Sequence, residues 1–560
     1  MTTRRIAWPA HTPLIAVLLV AIAVIIFINP LREMPIKDDW AYVLTVRTLL
    51  ETGQYHLHEW SAPNLPFQVI YGSLFARALG GLSFSSLRLS TLSLMLIGLI
   101  SFYFVALEHR LSHWQAGLLA LLLLASPLVL KFSFSFMTNI PFLGCALLAL
   151  WLYTRGLRLK SYPLMFVGSL AAAAATLTRQ FGMAFVAGLL LVWAVDRDRW
   201  RTLPLMLAGV ILPAAAAGWQ LYTGIVTPNW TAIQRQADQA QFMARSDLLP
   251  ELLWRLAIIL IYLALFSLPL LIPALAEYTD ELRKSRGKPV MQRNRLNLIL
   301  MVAPMLFILG MLVYGVFGMG KYSLMPFLAS NFFVISDFWP RWLAASLTLL
   351  MVIYGVLLVR LFTFRYVPLS DTEKLQPRDM LLDFVTLGLL IQHLIFVVFV
   401  DEYVISLIPY VLIVVGRGLG LWLDRLRVPL AASTAIFLIT SALWVRGYLE
   451  EQQAQWQAAE ELVSEGVDPF DIIMSWEWSS SHGGFNDYLK EINYQQLSPE
   501  RSSEYFDVWL PQRLANAHYL IGALTAPPDN PKFQVLKAVP YEDILLRTGF
   551  VYVLKRDVAP

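Results

Sequence analysis

The chain has 560 residues, of which 57% are hydrophobic and only 15% charged, with a mean hydropathy of +0.59. A soluble protein of this size carries about 25% charged residues, so so few charges exclude a soluble globular class. The net charge of +4 is dispersed through alternate loops, which makes nucleic acid a poor partner, and the single Cys145 excludes an internal disulfide or a cysteine-based metal site.

Apolar runs of roughly 18–25 residues recur up to about residue 446, each long enough to cross about 30 Å of hydrocarbon as a helix. About 13 spans are expected, centred near residues 20, 97, 122, 147, 169, 188, 211, 262, 306, 350, 390, 412 and 436. The first, over residues 13–27, follows Arg4 and Arg5 and lacks a small-x-small cleavage site before Asn29-Pro-Leu-Arg32. It is read as a retained span rather than a signal peptide.

A loop over residues 31–85 joins the first two spans and is long enough to be functional. It opens with Met34-Pro-Ile-Lys-Asp-Asp-Trp-Ala-Tyr42, which sets two adjacent carboxylates, Asp38 and Asp39, beside a membrane face. The spacing of Val43, Val46, Leu49 and Leu50 predicts a short amphipathic helix over residues 40–52, and a similar set predicts another over 67–79. Farther on, the runs near 169 and 188 are joined only by Thr178-Arg-Gln180, and those near 390 and 412 only by Asp401-Glu-Tyr403. Each link fits a helical hairpin or one bent, re-entrant segment. From about Gly447 the chain turns polar. A helix over 450–465 and strand-like runs over 472–476, 518–521, 533–537 and 550–555 predict a small α/β domain at 447–560, set apart from the membrane domain at 1–446.

Lys and Arg collect in every second loop: Arg4 and Arg5, Arg110, Arg155 to Lys160, Arg197 to Arg201, Arg283 to Arg295, Arg365 to Arg378, and Arg425 with Arg427. The opposite loops hold fewer, including Arg32, Lys37, Lys131, Arg179, Arg235, Arg245 and Lys321. The first set is assigned to the cytoplasm, so the N-terminus lies inside while Asp38, Asp39 and the tail face outward.

Consecutive acids on a helix project about 100° apart, so one can face a cavity while the other caps the helix. A carboxylate in a partly dry site suits a general base, and the neighbouring Trp40, Tyr42, Trp60 and Tyr71 suit a sugar ring. Both acids also serve as plain caps, and interfacial Trp and Tyr as plain anchors. Arg179 needs an acidic or phosphate partner at membrane depth unless it snorkels to the interface. Lys321 and Lys131 are alternative cations for a lipid phosphate. Tyr55-His-Leu-His-Glu59 has the start of a metal-ligand spacing but no further ligands, and polar loop residues are the plainer reading.

Taken together, these features resemble the GT-C membrane glycosyltransferases. The narrower resemblance is to the bacterial protein O-mannosyltransferase and lipid A aminoarabinose transferase family. It rests on Asp38-Asp-Trp-Ala-Tyr42, Pro66-Phe-Gln-Val-Ile-Tyr-Gly72, Leu87-Arg-Leu-Ser90, Ser133-Phe-Ser-Phe-Met-Thr-Asn-Ile-Pro-Phe142 and Leu177-Thr-Arg-Gln180, in that order over residues 10–425, with Ser475-Trp-Glu-Trp478 fitting less specifically. The resemblance implies a bacterial inner-membrane enzyme that moves a sugar from a polyprenyl-phosphate carrier to a lipid, protein or polysaccharide hydroxyl, inverting the anomeric centre. Asp38 would be the base, Arg179 with Lys321 and Lys131 would hold the leaving phosphate, and Gln180, Asn139, Glu402 and Tyr403 would join the sugar and acceptor site. A divalent cation stays open as cofactor. Two departures stand out: the family usually has an acid at Asn139 and commonly an Arg at Glu402. The first removes a second acid or metal contact; the second removes a cation or reverses a salt bridge.

Two other readings compete. A transporter or flippase for a lipid-linked glycan would show inverted repeats, which this chain lacks, and a non-catalytic membrane partner would use the outward tail for binding. Activity dependent on Asp38 separates the transferase from both.

Overall fold

The computed structural model describes residues 11–61, 65–196, 199–285, 302–311, 313, 341–366, 377–491, 509–524 and 532–556. Arg4, Arg5, Lys321 and the whole basic stretch 286–295 lie outside them. The chain is mostly helical, and each of the 13 expected centres falls within a helix. Among the described residues five helices are long and apolar enough to cross a membrane, or six with one bent pair; the other apolar helices are shorter.

The first helix, α1 (Thr12–Ile28), turns an apolar face outward, with Leu19 62% and Ile26 73% exposed. A soluble protein would bury those side chains; lipid tails solvate them. The outer loop then forms α2 (Asp39–Thr52), stopped by the left-handed Gly53, and α3 (Pro66–Ala78), opened by Pro66 in its first turn. Both lie within a residue or two of the expected bounds. The next helix, α4 (Phe84–Glu108), starts with a capping box between Ser83 and Ser86. Glu33 reaches across to accept the backbone N–H groups of Phe84 and Ser85 at 2.9 and 3.1 Å, pinning the outer loop to the head of α4.

The run centred near 122 is not straight. α5 (His113–Ala125) and α6 (Pro127–Ser133) meet at 67°, because Pro127 lacks the N–H that would continue the first helix. α7 (Asn139–Leu159) packs on α4 through glycine: a Cβ on Gly144 would lie 2.3 Å from the Leu94 carbonyl oxygen. The Thr178-Arg-Gln180 link is a turn followed by one 3-10 turn (Gln180–Gly182), between α8 (Tyr162–Thr176) and α9 (Met183–Val195). α10 (Arg199–Val226) packs against both. The Asp401-Glu-Tyr403 link opens a longer 3-10 stretch, Asp401–Leu407, between helices Pro377–Ile395 and Ile408–Gly418.

The tail differs from the sequence reading in one respect. The last apolar run and the polar helix expected over 450–465 are a single helix, Arg427–Ser464, unbroken at residues 446 and 447. Its second half packs Ala454, Ala458 and Leu462 onto Ile472, Ile521, Val551 and Val553. The sheet has strand order β1-β2-β4-β3, with β1 (Ile472–Ile473) parallel to β2 (Tyr519–Ala523) and β4 (Thr548–Arg556) antiparallel to β2 and to β3 (Phe533–Glu542). Residues 476–481, read partly as strand, form a short helix with Trp478 fully buried in this core. Gly447 lets the β3–β4 turn dock against the long helix, since a Cβ there would lie 2.8 Å from the Ile544 nitrogen. Arg446 closes the contact on Glu542 at 2.5 Å.

A candidate active site at the outer loop

The two consecutive acids have divided roles. Asp39, the first residue of α2, is wholly buried and accepts the N–H of Ile36 at 2.7 Å and of Phe136 at 3.2 Å, one on each oxygen. It ties the outer loop to the end of the bent α5–α6 pair. Burial pushes its carboxyl up to about 7 despite the Arg88 charge and those two hydrogen bonds. Arg88 fixes the same loop from beneath: it donates to the Arg32 carbonyl at 2.5 Å and to that of Met34. Asp38 occupies the cap position of α2 without capping it. Its half-buried carboxylate accepts the Trp60 indole N–H at 2.8 Å. Burial raises its pKa above the ordinary carboxylate range; the Trp60 bond opposes this and the Glu402 charge adds to it.

Around Asp38 the chain gathers charges from its neighbour Lys37 and from three distant segments. Lys37 stands in the left-handed backbone region at φ +54°, a conformation costing about 1–3 kcal/mol in a residue with a Cβ. There its ammonium meets Glu402 at 3.0 Å. Burial alone would depress the Lys37 pKa, but Glu402 and Asp401 outweigh it and leave it raised. Burial likewise pushes Glu402 upward, and Lys37 with Arg179 overcomes it to hold Glu402 below its usual range. Asn139, at the head of α7, donates to the Glu402 carbonyl at 3.3 Å. The Arg179 guanidinium lies over the rings of Tyr403 and Phe181 at 4.6 and 5.3 Å and donates no hydrogen bond to any described residue, so its N–H groups are available to an anion. Arg235, over Phe396 at 5.7 Å, also acts on Asp38.

An aromatic wall stands beside the acid. Trp60 contacts Trp40 at 6.3 Å, Trp230 at 6.2 Å, Trp476 at 5.6 Å and Phe485 at 4.9 Å between ring centres. Trp230 enters from α11 (Trp230–Met243), whose preceding Asn229 donates to the carbonyls of His58 and Ser61 at 3.0 and 2.8 Å. Trp476 and Phe485 come from the tail, so the tail forms part of the wall. Glu477 adds a further carboxylate: burial raises its pKa, and the charges of Asp38 and Lys37 act on it.

Most of the residues singled out from sequence therefore converge: Asp38, Asp39, Trp40, Tyr42, Trp60, Asn139, Arg179, Glu402 and Tyr403. Trp40 and Tyr42 are only 2% and 4% exposed and support the wall from behind. Burial lifts the Tyr42 hydroxyl well above its usual pKa, with the Asp38 charge adding to it, so it stays protonated. Gln180 is exposed in the turn beside Arg179. Lys131, on α6, is buried with its ammonium 4.2 Å from the Tyr448 ring centre and 5.5 Å from that of Trp444. Tyr71 is placed elsewhere: it stacks on Phe67 and its hydroxyl meets Ser93 on α4 at 2.8 Å. His58 and Glu59 serve the loop, His58 accepting the Trp60 N–H and Glu59 the Trp230 N–H. Burial lowers the His58 pKa to about 4, leaving it neutral at pH 7. Among the described residues no group of three or more His, Cys, Asp or Glu is placed to hold a metal ion.

Sequence reasoning did not single out Lys37, Glu477, Trp230 or Phe485 for the site. Lys37 carried a signal, as a cation next to the acid pair; the others are ordinary residues until the fold brings them 170 or more residues across to Trp60 and Asp38.

No protein-family model and no curated protein matches the chain. Among solved structures it is similar to ArnT from Cupriavidus metallidurans bound to undecaprenyl phosphate, with 14% identity and a TM-score of 0.41 over 97% of this chain and 98% of that one. It is also similar to the Archaeoglobus fulgidus oligosaccharyltransferase in complex with Zn and sulfate, with 12% identity and a TM-score of 0.45 over 91% of this chain and 68% of that one.

Proposed function

We propose that the chain is an inverting glycosyltransferase that moves a sugar from a polyprenyl-phosphate carrier to an acceptor hydroxyl at the outer face of the cytoplasmic membrane. The N-terminus and the basic loops lie inside, and the 447–560 tail lies outside. What carries this reading is the division of labour between the acids. Asp39 has both oxygens committed to backbone N–H groups, whereas Asp38 has a half-buried carboxylate, its pKa raised above the ordinary range by burial, between an aromatic wall and cations. A base needs that accessibility, and the raised pKa strengthens its hold on the proton it takes.

In this reaction Asp38 takes the proton of the acceptor hydroxyl as its oxygen attacks the anomeric carbon. The bond from that carbon to the phosphate oxygen breaks on the opposite side, and its electron pair leaves with the polyprenyl phosphate. Arg179 and Arg235 stabilise the growing phosphate charge, while Lys37 is largely neutralised by Glu402. Lys37 thereby supplies, from the partner side, the cation that the resemblance leads one to expect at residue 402. Purified protein in bilayers, given short-chain polyprenyl-phosphate sugars and a membrane extract, is expected to release sugar-free polyprenyl phosphate measurable by mass spectrometry. Asp38→Asn should lower that release by about 10²–10⁴-fold. Release unchanged in Asp38→Asn removes Asp38 as the base, and no release from the wild type with any donor overturns the transferase reading.

A further inference from the structure

At the other end of α4 and α7, a helix length of about 36 Å from Phe84, lies a second site unrelated to the acid pair. It is a cleft of about 390 Å³ lined by His11, Phe104, Glu108, Trp151, Arg155 and Arg158. That volume is within the roughly 300–1,000 Å³ of small-molecule sites. Its floor is apolar and flat, since Phe104 and Trp151 stack with ring centres 4.7 Å apart and planes 16° apart. Its rim is cationic. Arg155 and Arg158, one helical turn apart near the C-terminal end of α7, both reach the single buried Glu108, at 3.2 and 2.9 Å.

The charge count decides what the cleft attracts. Two guanidinium groups share one carboxylate, leaving one net positive charge. The two arginines stay 43% and 39% exposed, so each keeps N–H donors directed to solvent. The carbonyl end of α7 would repel an anion, and the guanidinium groups standing beyond it reverse that sign. A planar, multidentate donor pair above stacked aromatics fits a phosphate carried on an apolar body. We propose that this cleft binds a phosphate-bearing anion, the phosphodiester headgroup of an anionic membrane lipid or a free phosphate, with Arg155 and Arg158 as its donors. Glu108 competes with that anion for the same guanidinium groups. At a membrane boundary a basic cleft between helix ends meets lipid phosphates at high local concentration.

Full-length protein in neutral phosphatidylcholine-rich micelles is titrated with phosphatidylglycerol, with further phosphatidylcholine, and with inorganic phosphate. Native mass spectrometry and the thermal midpoint report binding. Saturation by phosphatidylglycerol alone identifies a lipid site; saturation by inorganic phosphate at equal concentration identifies a free-phosphate site. The triple substitution Glu108→Gln/Arg155→Gln/Arg158→Gln removes the donors without leaving the buried acid unpaired, and should weaken binding at least about tenfold. Glu108→Gln alone removes the competitor and should tighten binding several-fold, whereas a merely structural salt bridge would only destabilise the fold. Failure of both ligands to bind the wild type, equal binding by the triple variant, or weaker binding by Glu108→Gln overturns the proposal.

Discussion

Removing one partner of the Lys37–Glu402 pair should harm the fold more than removing both. The charged atoms lie 3.0 Å apart with side chains 18% and 9% exposed. At an effective dielectric of about 20 their attraction is about 5.5 kcal/mol, offset by several kcal/mol for dehydrating each ion. The net value of the pair is therefore small, but either ion left alone keeps its dehydration cost without its partner. Glu402→Gln strands Lys37 and should lower stability by about 3 kcal/mol, the low end for buried pairs because Lys37 retains some solvent. Lys37→Gln should cost about 2 kcal/mol, since Arg179 still faces Glu402. The double substitution should cost no more than the larger single loss, giving a coupling energy of at least about 2 kcal/mol. Unfolding of the four proteins in mixed micelles, followed by tryptophan fluorescence, measures the cycle. Losses that simply add would refute the pairing and, with it, the placement of Lys37 over the acid.

Three further outcomes follow from the same geometry. Trp60→Phe removes the N–H that favours ionised Asp38; its pKa rises further, and the acid limb of the rate–pH profile for carrier release should move to higher pH, where an unmoved limb would separate Asp38 from the base. Asp39, with a folded pKa of about 7 against 3.8, binds a proton in the folded state that the unfolded chain has lost. It therefore makes stability fall by at most about 1.4 kcal/mol per pH unit as pH rises from 3.8 toward 7, and Asp39→Asn should flatten the midpoint–pH curve over that window. Gly144→Ala drives a methyl against the Leu94 backbone oxygen, so α4 and α7 must separate and about 1–3 kcal/mol or more is lost; Gly98→Ala, whose Cβ would meet Gly144 at 3.2 Å, should cost less in the same melting assay.

Local signals served well where chemistry and periodicity agreed. Apolar spacing alone placed α2 and α3 closely, and the turn residues of the tail separated its strands. Asp38 was legible as a candidate because an acid pair beside an apolar run is costly unless used. Its separation from Asp39 was not, because it depends on the Phe136 N–H, 97 residues away. Hydropathy counted residues 113–133 as one crossing, since bending at Pro127 leaves the average unchanged. The same averaging hid the continuity of Arg427–Ser464, whose polarity changes halfway while its backbone does not. Tyr71 shared the aromatic character of the wall, but the i+4 spacing from Phe67 directs it to Ser93 instead.

That continuous helix makes the tail a lever rather than a pendant. Over 38 residues it is about 57 Å long, and it carries Trp444 and Tyr448 against Lys131, Glu450 against Arg32 at 2.8 Å, and the sheet on its far half. With no break at residue 447, no flexible loop separates the far half of the helix, on which the sheet packs, from the last apolar run. Tilting the whole rod would load the Lys131 contacts and the Arg32 tether together. The sheet domain that brings Trp476 and Phe485 to the aromatic wall thus shares one continuous helix with the last apolar run, and a substitution in that run, far from Asp38, would be felt at the wall.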